Sequence, residues 1–156
     1  IASARNQQVL RFRLVYGTEA KEVTKAIKLG GALPELNLPL PGTEPNAYII
    51  ICTQEPKGKW VDIDLGISAQ SMLLKAVDLG LNGICIAAFN KEKICALVNG
   101  GRQMEPLLIL AIGKSIERFQ LLPIGQDDEH NYFRKNGVHF VPKVRIEDLL
   151  IWTNQK

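Results

Sequence analysis

The sequence predicts a layered domain that mixes helices and strands. Three observations carry this. Segments with strand and helix periodicity alternate through the first two thirds of the chain. Two runs, 47–53 (AYIIICT) and 107–112 (LLILAI), are apolar almost throughout, as strands buried on both faces are. The chain has 156 residues, 46% of them apolar and 22% charged, which suits one domain (1–156) around one core.

The elements follow in order. Residues 9–16 (VLRFRLVY) alternate apolar and basic before turning apolar, which reads as a strand half buried at its start. Thr18 is placed to cap a helix reaching Leu29, with Val23, Ala26 and Ile27 on one face and Gly30-Gly31 ending it. Residues 32–45 hold Pro34, Pro39, Pro41, Pro45 and Gly42 and read as a loop. Its Leu33, Leu36, Leu38 and Leu40 are too apolar for a free linker and are expected to pack, against a partner subunit among other options. After the 47–53 strand, Asp62 or Asp64 starts the strongest helix. Leu65, Ala69, Met72, Leu73, Ala76 and Leu79 give it a wide apolar face, and Gly80 closes it. A strand at 83–88 (GICIAA), a helix from Asn90 to about Val98 and the strand 107–112 complete the alternation. Residues 115–141 read as irregular, with Asn136-Gly137 a hairpin turn. The last stretch, 144–152, fits a helical turn, a strand, or one after the other.

Several functions are disfavoured by composition. The net charge is only +3 and no basic run is interleaved with aromatics, so no nucleic-acid partner is expected. No segment is apolar enough for a bilayer and the start lacks signal-peptide character, so no membrane partner is expected and the cytoplasm is the default. Cys52, Cys85 and Cys95 are odd in number and lack CxxC spacing, which favours reduced, buried thiols over a metal or disulfide framework. Gly113-Lys114-Ser115 ends like a phosphate loop, but Leu108 stands where the leading glycine belongs. Asp127, Asp128, Glu129 and His130 read as a solvated charge run. Neither His130 nor His139 has a nucleophile at a recognisable spacing. If the chain is an enzyme, a cofactor must carry its chemistry.

Three segments carry motifs. Ala2-Ser3-Ala4-Arg5-Asn6-Gln7-Gln8 stands against P-S-x-x-N-x-Q-P. Asp62-x-x-x-Gly66-x-x-x-Gln70 continues through Leu73-Leu74-x-Ala76 and Gly80-Leu81-Asn82-Gly83 to Ile86-Ala87-Ala88-Phe89. Pro142-Lys143-Val144-Arg145 stands against P-K-x-R. Together these segments resemble one family, the FMN-dependent nitroreductases and their NAD(P)H oxidoreductase relatives. Ala2 and Val9 replace frequent prolines, and Ala87 a frequent Gly or Glu. The chain begins Ile1-Ala2-Ser3, and the Arg-x-Ser-x-Arg-like clamp with which family members open is absent. The N-terminal helical part of the family fold is therefore expected to be missing. The short link between Thr53 and Asp62, where larger members carry a lid insertion, points to the short subfamily.

The resemblance implies an α+β fold, a three-layer α-β-α sandwich that forms a homodimer, with the C-terminal segment reaching to the partner subunit. Leu149, Leu150, Ile151 and Trp152 would then be covered. It implies FMN in the dimer interface, contacted from both subunits. NAD(P)H is the implied electron donor, and a small acceptor such as a nitroaromatic or quinone takes the electrons in a ping-pong cycle. The implied cofactor-binding residues are Ser3, Ala4, Arg5, Asn6, Gln8, Ile86, Ala87, Ala88, Lys143 and Arg145. None need be catalytic, because the flavin carries the chemistry, and no metal is called for. Their chemistry agrees. Lys143 and Arg145, two apart in extended chain, point to one face and suit a phosphate. The small residues 86–88 let backbone approach a flat ring. Arg5 offsets the negative charge of a reduced ring, and Asn6 and Gln8 suit its polar edge. Two alternatives stay open: a flavin-binding member without turnover, and a dehalogenating or flavin-consuming relative.

Overall fold

The computed structural model describes residues 2–31, 33–99 and 103–151. The chain folds as two compact units. The first contains β1 (Leu10–Tyr16), α1 (Ala20–Thr24), β2 (Ala47–Thr53), α2 (Lys59–Asp78), β3 (Asn82–Ile86), α3 (Lys91–Val98) and β4 (Glu105–Gly113). Its strands form one antiparallel sheet in the order β1-β2-β4-β3. The all-apolar runs β2 and β4 take the two central places, because only there are both faces covered.

Helices cover both faces of this sheet. On one side Ala20 and Val23 of α1 and Ile94 of α3 pack with Tyr48, Ile50, Ile109 and Ala111. On the other, Val61 and Ala69 of α2 pack with Leu10, Ile51 and Leu110. Side-chain alternation along β2 divides Ile50 from Ile51 and so feeds both cores. The three-layer arrangement expected from the sequence is present in this unit. Full burial of each such isoleucine contributes about 1.5–3 kcal/mol. Tyr48 is fully buried, and its hydroxyl is satisfied by Thr24 Oγ1 at 2.8 Å.

Gly83 sets how closely α2 lies on the sheet. A Cβ there would fall 2.5 Å from Leu73 Cδ2, 2.8 Å from Ile112 Cδ1 and 3.1 Å from the Ala111 carbonyl oxygen. Gly83→Ala is expected to destabilise by about 1–3 kcal/mol through overpacking. A lowered urea midpoint at unchanged slope will report it; an unchanged midpoint would mean that α2 moves aside freely.

Some sequence expectations are corrected. The helix expected from Thr18 to Leu29 is one short turn, with Glu19 at its N-cap and no side-chain cap. The chain leaves it to bridge Ile27 with Phe89, where Lys28 N–H donates to the Ala88 carbonyl (2.8 Å) and Asn90 N–H to the Ala26 carbonyl (2.7 Å). Those bonds replace helical ones in a segment whose β-branched Val23, Thr24 and Ile27 hold a helix poorly. Helix α2 begins three residues before Asp62, at Lys59, and Leu79 is exposed beyond its end. Gly80 closes it with φ +72°. Asn90 caps α3 as expected, accepting from Lys93 N–H at 2.9 Å.

The second unit holds β5 (Arg118–Ile124), β6 (Phe133–Lys135), β7 (Val138–Val144) and the single turn α4 (Ile146–Leu149). These form a sheet in the order β5-β7-β6, parallel between β5 and β7. The segment expected to be irregular therefore carries three strands. The Asn136-Gly137 turn does join β6 to β7, both residues having positive φ (+51° and +73°), as a two-residue hairpin turn requires.

Candidate functional site

The most constrained stretch of backbone lies just before β1. Three non-glycine residues there, Arg5, Asn6 and Gln8, have φ of +56°, +54° and +52°. An L-residue in this left-handed region costs roughly 1–2 kcal/mol, least for Asn. A loop holding three of them needs an outside constraint, and Asp64 of α2 supplies it. Ser3 Oγ donates to Asp64 Oδ2 at 2.5 Å, and the Ala4 N–H donates to Asp64 Oδ1. Ser3 Oγ also accepts from the Gln8 N–H at 2.9 Å, which ties the two ends of the loop together. Bonds to a charged group contribute about 1.5–3 kcal/mol each, enough to offset the backbone cost.

Asp64 is 2% exposed and Ser68, one turn on, 3%. Both sit on the core side of α2, beside a cavity of about 320 Å³ that Ser3, Gln8, Leu10, Arg11 and Phe12 also line. Arg5, Asn6 and Gln8 themselves are exposed. Gln8 Nε2 donates to Asn6 Oδ1 at 3.0 Å. The Arg5 guanidinium lies over the Trp60 ring, 5.7 Å from its centroid, and among the described residues no carboxylate pairs with it. It is a cation resting on an aromatic face, free to meet an anion.

The other expected site residues lie elsewhere. Ile86 is buried at the end of β3, whereas Ala87 and Ala88 just beyond it are exposed. Since β1 and β3 are opposite edges of the sheet, residues 86–88 and the 3–8 loop are three strand spacings apart, about 14 Å. One chain does not bring them together. Lys143 lies on β7 and Arg145 caps α4; both are exposed, and Arg145 Nε donates to Asp148 Oδ2 at 3.1 Å. They belong to the second unit.

Cys52 is buried, and burial pushes its thiol up to about 11. Cys85, expected to be buried, is exposed, next to the exposed Ile84 on β3. Among the described residues no cluster of His, Cys, Asp or Glu is arranged to hold a metal, and no helix is long and apolar enough to cross a membrane.

Asp64 and Trp60 were not singled out as site residues by sequence. A usable signal existed for Asp64. With Ser68 it interrupts the apolar arc formed by Val61, Leu65, Ala69 and Met72, so two polar groups at i and i+4 face the core. Buried polar groups need partners, so the pattern predicts that something outside α2 bonds to Asp64.

Comparison with known proteins gives the family. The model of the nitroreductase family matches residues 4–114, most of the chain. No curated protein matches the sequence. Among solved structures, a nitroreductase family protein from Clostridium novyi NT is similar at 21% identity and a TM-score of 0.56, covering 72% of this chain and 65% of its own. An FMN-dependent nitroreductase from Clostridium difficile R20291 gives 19%, 0.54, 75% and 69% for the same quantities. The FMN-dependent nitroreductase NfnB from Mycobacterium smegmatis, solved in complex with NADPH, gives 15%, 0.57, 73% and 72%. This chain thus spans just under two thirds of the Clostridium novyi protein. At such identities the structures speak for the fold, and the family model speaks for descent: the chain belongs to the nitroreductase family.

Proposed function

We propose that this chain binds FMN and serves as an oxidoreductase that passes electrons from NAD(P)H to a small acceptor, of the nitroaromatic or quinone type. The observation that carries the reading is the 3–8 loop: an unpaired Arg5 and two exposed amides, presented on backbone that a buried carboxylate holds in place. That donor set suits the pyrimidine side of a flavin. Bound FMN would supply the redox chemistry, accepting hydride from the nicotinamide and releasing electrons to the acceptor. Arg5 would offset the negative charge that reduction leaves on the ring, and Asn6 and Gln8 would bond its polar edge. Residues 86–88 would pack a flat ring closely, and Lys143 and Arg145 would take the phosphate.

The working form is proposed to be a homodimer. Trp60, Ile63, Ile67, Gln70, Leu74 and Val77 of α2 repeat at alternating steps of three and four, the spacing of a helix–helix seam. Trp60, Ile63, Leu74 and Val77 are exposed in one chain. Trp60 begins this seam and also carries Arg5, so the loop and the seam are contiguous. A flavin at that boundary can be reached by the 3–8 loop of one subunit and residues 86–88 of the other, which suits their attachment to opposite edges of the sheet within a chain. Leu149, Leu150 and Ile151 are exposed and suit docking on a partner; Trp152 lies outside the described residues.

An absorption spectrum tests the reading. The protein reconstituted with FMN should show bound-flavin bands that bleach anaerobically on adding NADH or NADPH and return on adding a quinone. Bound flavin that neither nicotinamide bleaches would favour a binding protein without turnover; absence of bound flavin would reject the proposal.

A further inference from the structure

We propose that Asp64 is the positioning residue of the flavin site: it holds the 3–8 loop in the conformation that presents Arg5. The inference rests on the function proposed above and goes beyond it, because both carboxylate oxygens of Asp64 are taken up by the loop. Its carboxylate is 2% exposed, and among the described residues no Lys or Arg pairs with it. The hydrogen bonds it accepts come from Ser3 and Ala4. An apolar side chain of similar volume would serve the α2 core better, since a buried carboxylate carries a desolvation cost that an alkyl group avoids. What the carboxylate adds is conformational: it fixes Ser3, whose hydroxyl in turn accepts from Gln8 N–H. Between those two anchors stand Arg5 and Asn6, and Gln8 closes the ring; all three have left-handed backbone that a released loop would abandon. Without Asp64 the Arg5 side chain would sample many positions, and the stabilisation it gives a reduced flavin would fall with the fraction of time it is in place.

The test uses Asp64→Ala, Asp64→Asn, Ser3→Ala and Arg5→Ala, in the flavin-free and FMN-loaded full chain. In the flavin-free protein, amide hydrogen exchange at Ala4 and Gln8 should quicken by about tenfold or more in Asp64→Ala, with β2 amides unchanged. In the loaded protein, anaerobic stopped-flow reduction by nicotinamide should slow by roughly tenfold in Asp64→Ala and in Arg5→Ala alike, and no further in the double variant. Asp64→Asn, which keeps one acceptor, should recover part of both effects. Ser3→Ala removes the same tether from the loop side and keeps the test open should Asp64→Ala fold poorly. Unchanged loop exchange, or losses in the double variant that multiply, would overturn the positioning role. If Arg5→Ala leaves reduction unaffected while loop exchange still quickens in Asp64→Ala, it is the flavin role of Arg5 that fails, and the proposal falls with it.

Discussion

Glutamates in place of Leu74 and Val77 should leave a folded monomer that has lost most of its affinity for FMN. Both side chains are more than half exposed in the single chain, at 60% and 63%, so the protomer should barely notice the change, within about 0.5 kcal/mol. The proposed dimer would notice it strongly. In a two-fold arrangement the same helix face meets its own copy, so the double substitution places four carboxylates in one apolar seam. Each buried, unpaired charge costs several kcal/mol. A net loss of about 4 kcal/mol raises the dissociation constant roughly a thousandfold. Sedimentation velocity at micromolar concentration reads the oligomeric state, and flavin fluorescence reads the binding. A dimer that survives both glutamates would exclude α2 as the seam. A monomer that still holds FMN tightly would place the whole flavin site within one chain.

The second large effect is expected from Lys143→Ala with Arg145→Ala: FMN should bind about a hundredfold more weakly while riboflavin is unaffected. The two flavins differ only in the phosphate, so a change confined to FMN assigns the phosphate contact. Arg145 has one edge engaged by Asp148, which orients the guanidinium while leaving other N–H groups available. It also lies beside Gly125, where an added Cβ would sit 3.3 Å from its Nη2. Lys143 projects from β7 as an exposed point charge. Charge-assisted hydrogen bonds contribute about 1.5–3 kcal/mol each, and solvent reduces them at exposed positions. A joint loss of about 3 kcal/mol gives the hundredfold figure. Titrations at two ionic strengths should show the FMN preference shrinking with salt in the parent. A double variant that keeps its preference for FMN would move the phosphate elsewhere.

The sequence disclosed the first unit better than the second, for physical reasons. β2, β4 and α3 are written in patterns that one property decides: continuous apolarity for the strands, an Asn cap for the helix. The end of α2 was equally plain at Gly80, but its start was not, because Lys59 and Trp60 carry no cap signal ahead of them. The Thr18 helix failed because bridging of Ile27 to Phe89, far away in sequence, took over its backbone groups. β5 and β7 escaped notice because they pair with each other in parallel, which no local turn announces, and because Pro123 and Pro142 interrupt the usual strand pattern. At the candidate site, the motif around Ser3 and Asn6 identified the loop. What holds the loop, the tether to Asp64, shows locally only as a polar residue on the apolar arc of α2; its partner Ser3 lies far away in sequence and is not legible from that pattern.

The order β1-β2-β4-β3 has a kinetic consequence. Its central pairing joins Ile50 to Ile109 across more than a third of the chain, with α2, β3 and α3 lying between them. The β6–β7 hairpin, closed by two residues, can form within microseconds. The central pair must wait for a long loop to close, and sheets dominated by such distant partners form in milliseconds to seconds. During synthesis β2 emerges well before β4; β1 can already pair with one of its edges, but the edge that β4 takes stays open through that interval, beside three consecutive isoleucines. Assembly of this protein is thus most vulnerable to wrong pairing between copies before β4 arrives, and dilution or a chaperone acting in that interval should raise the yield of native chain.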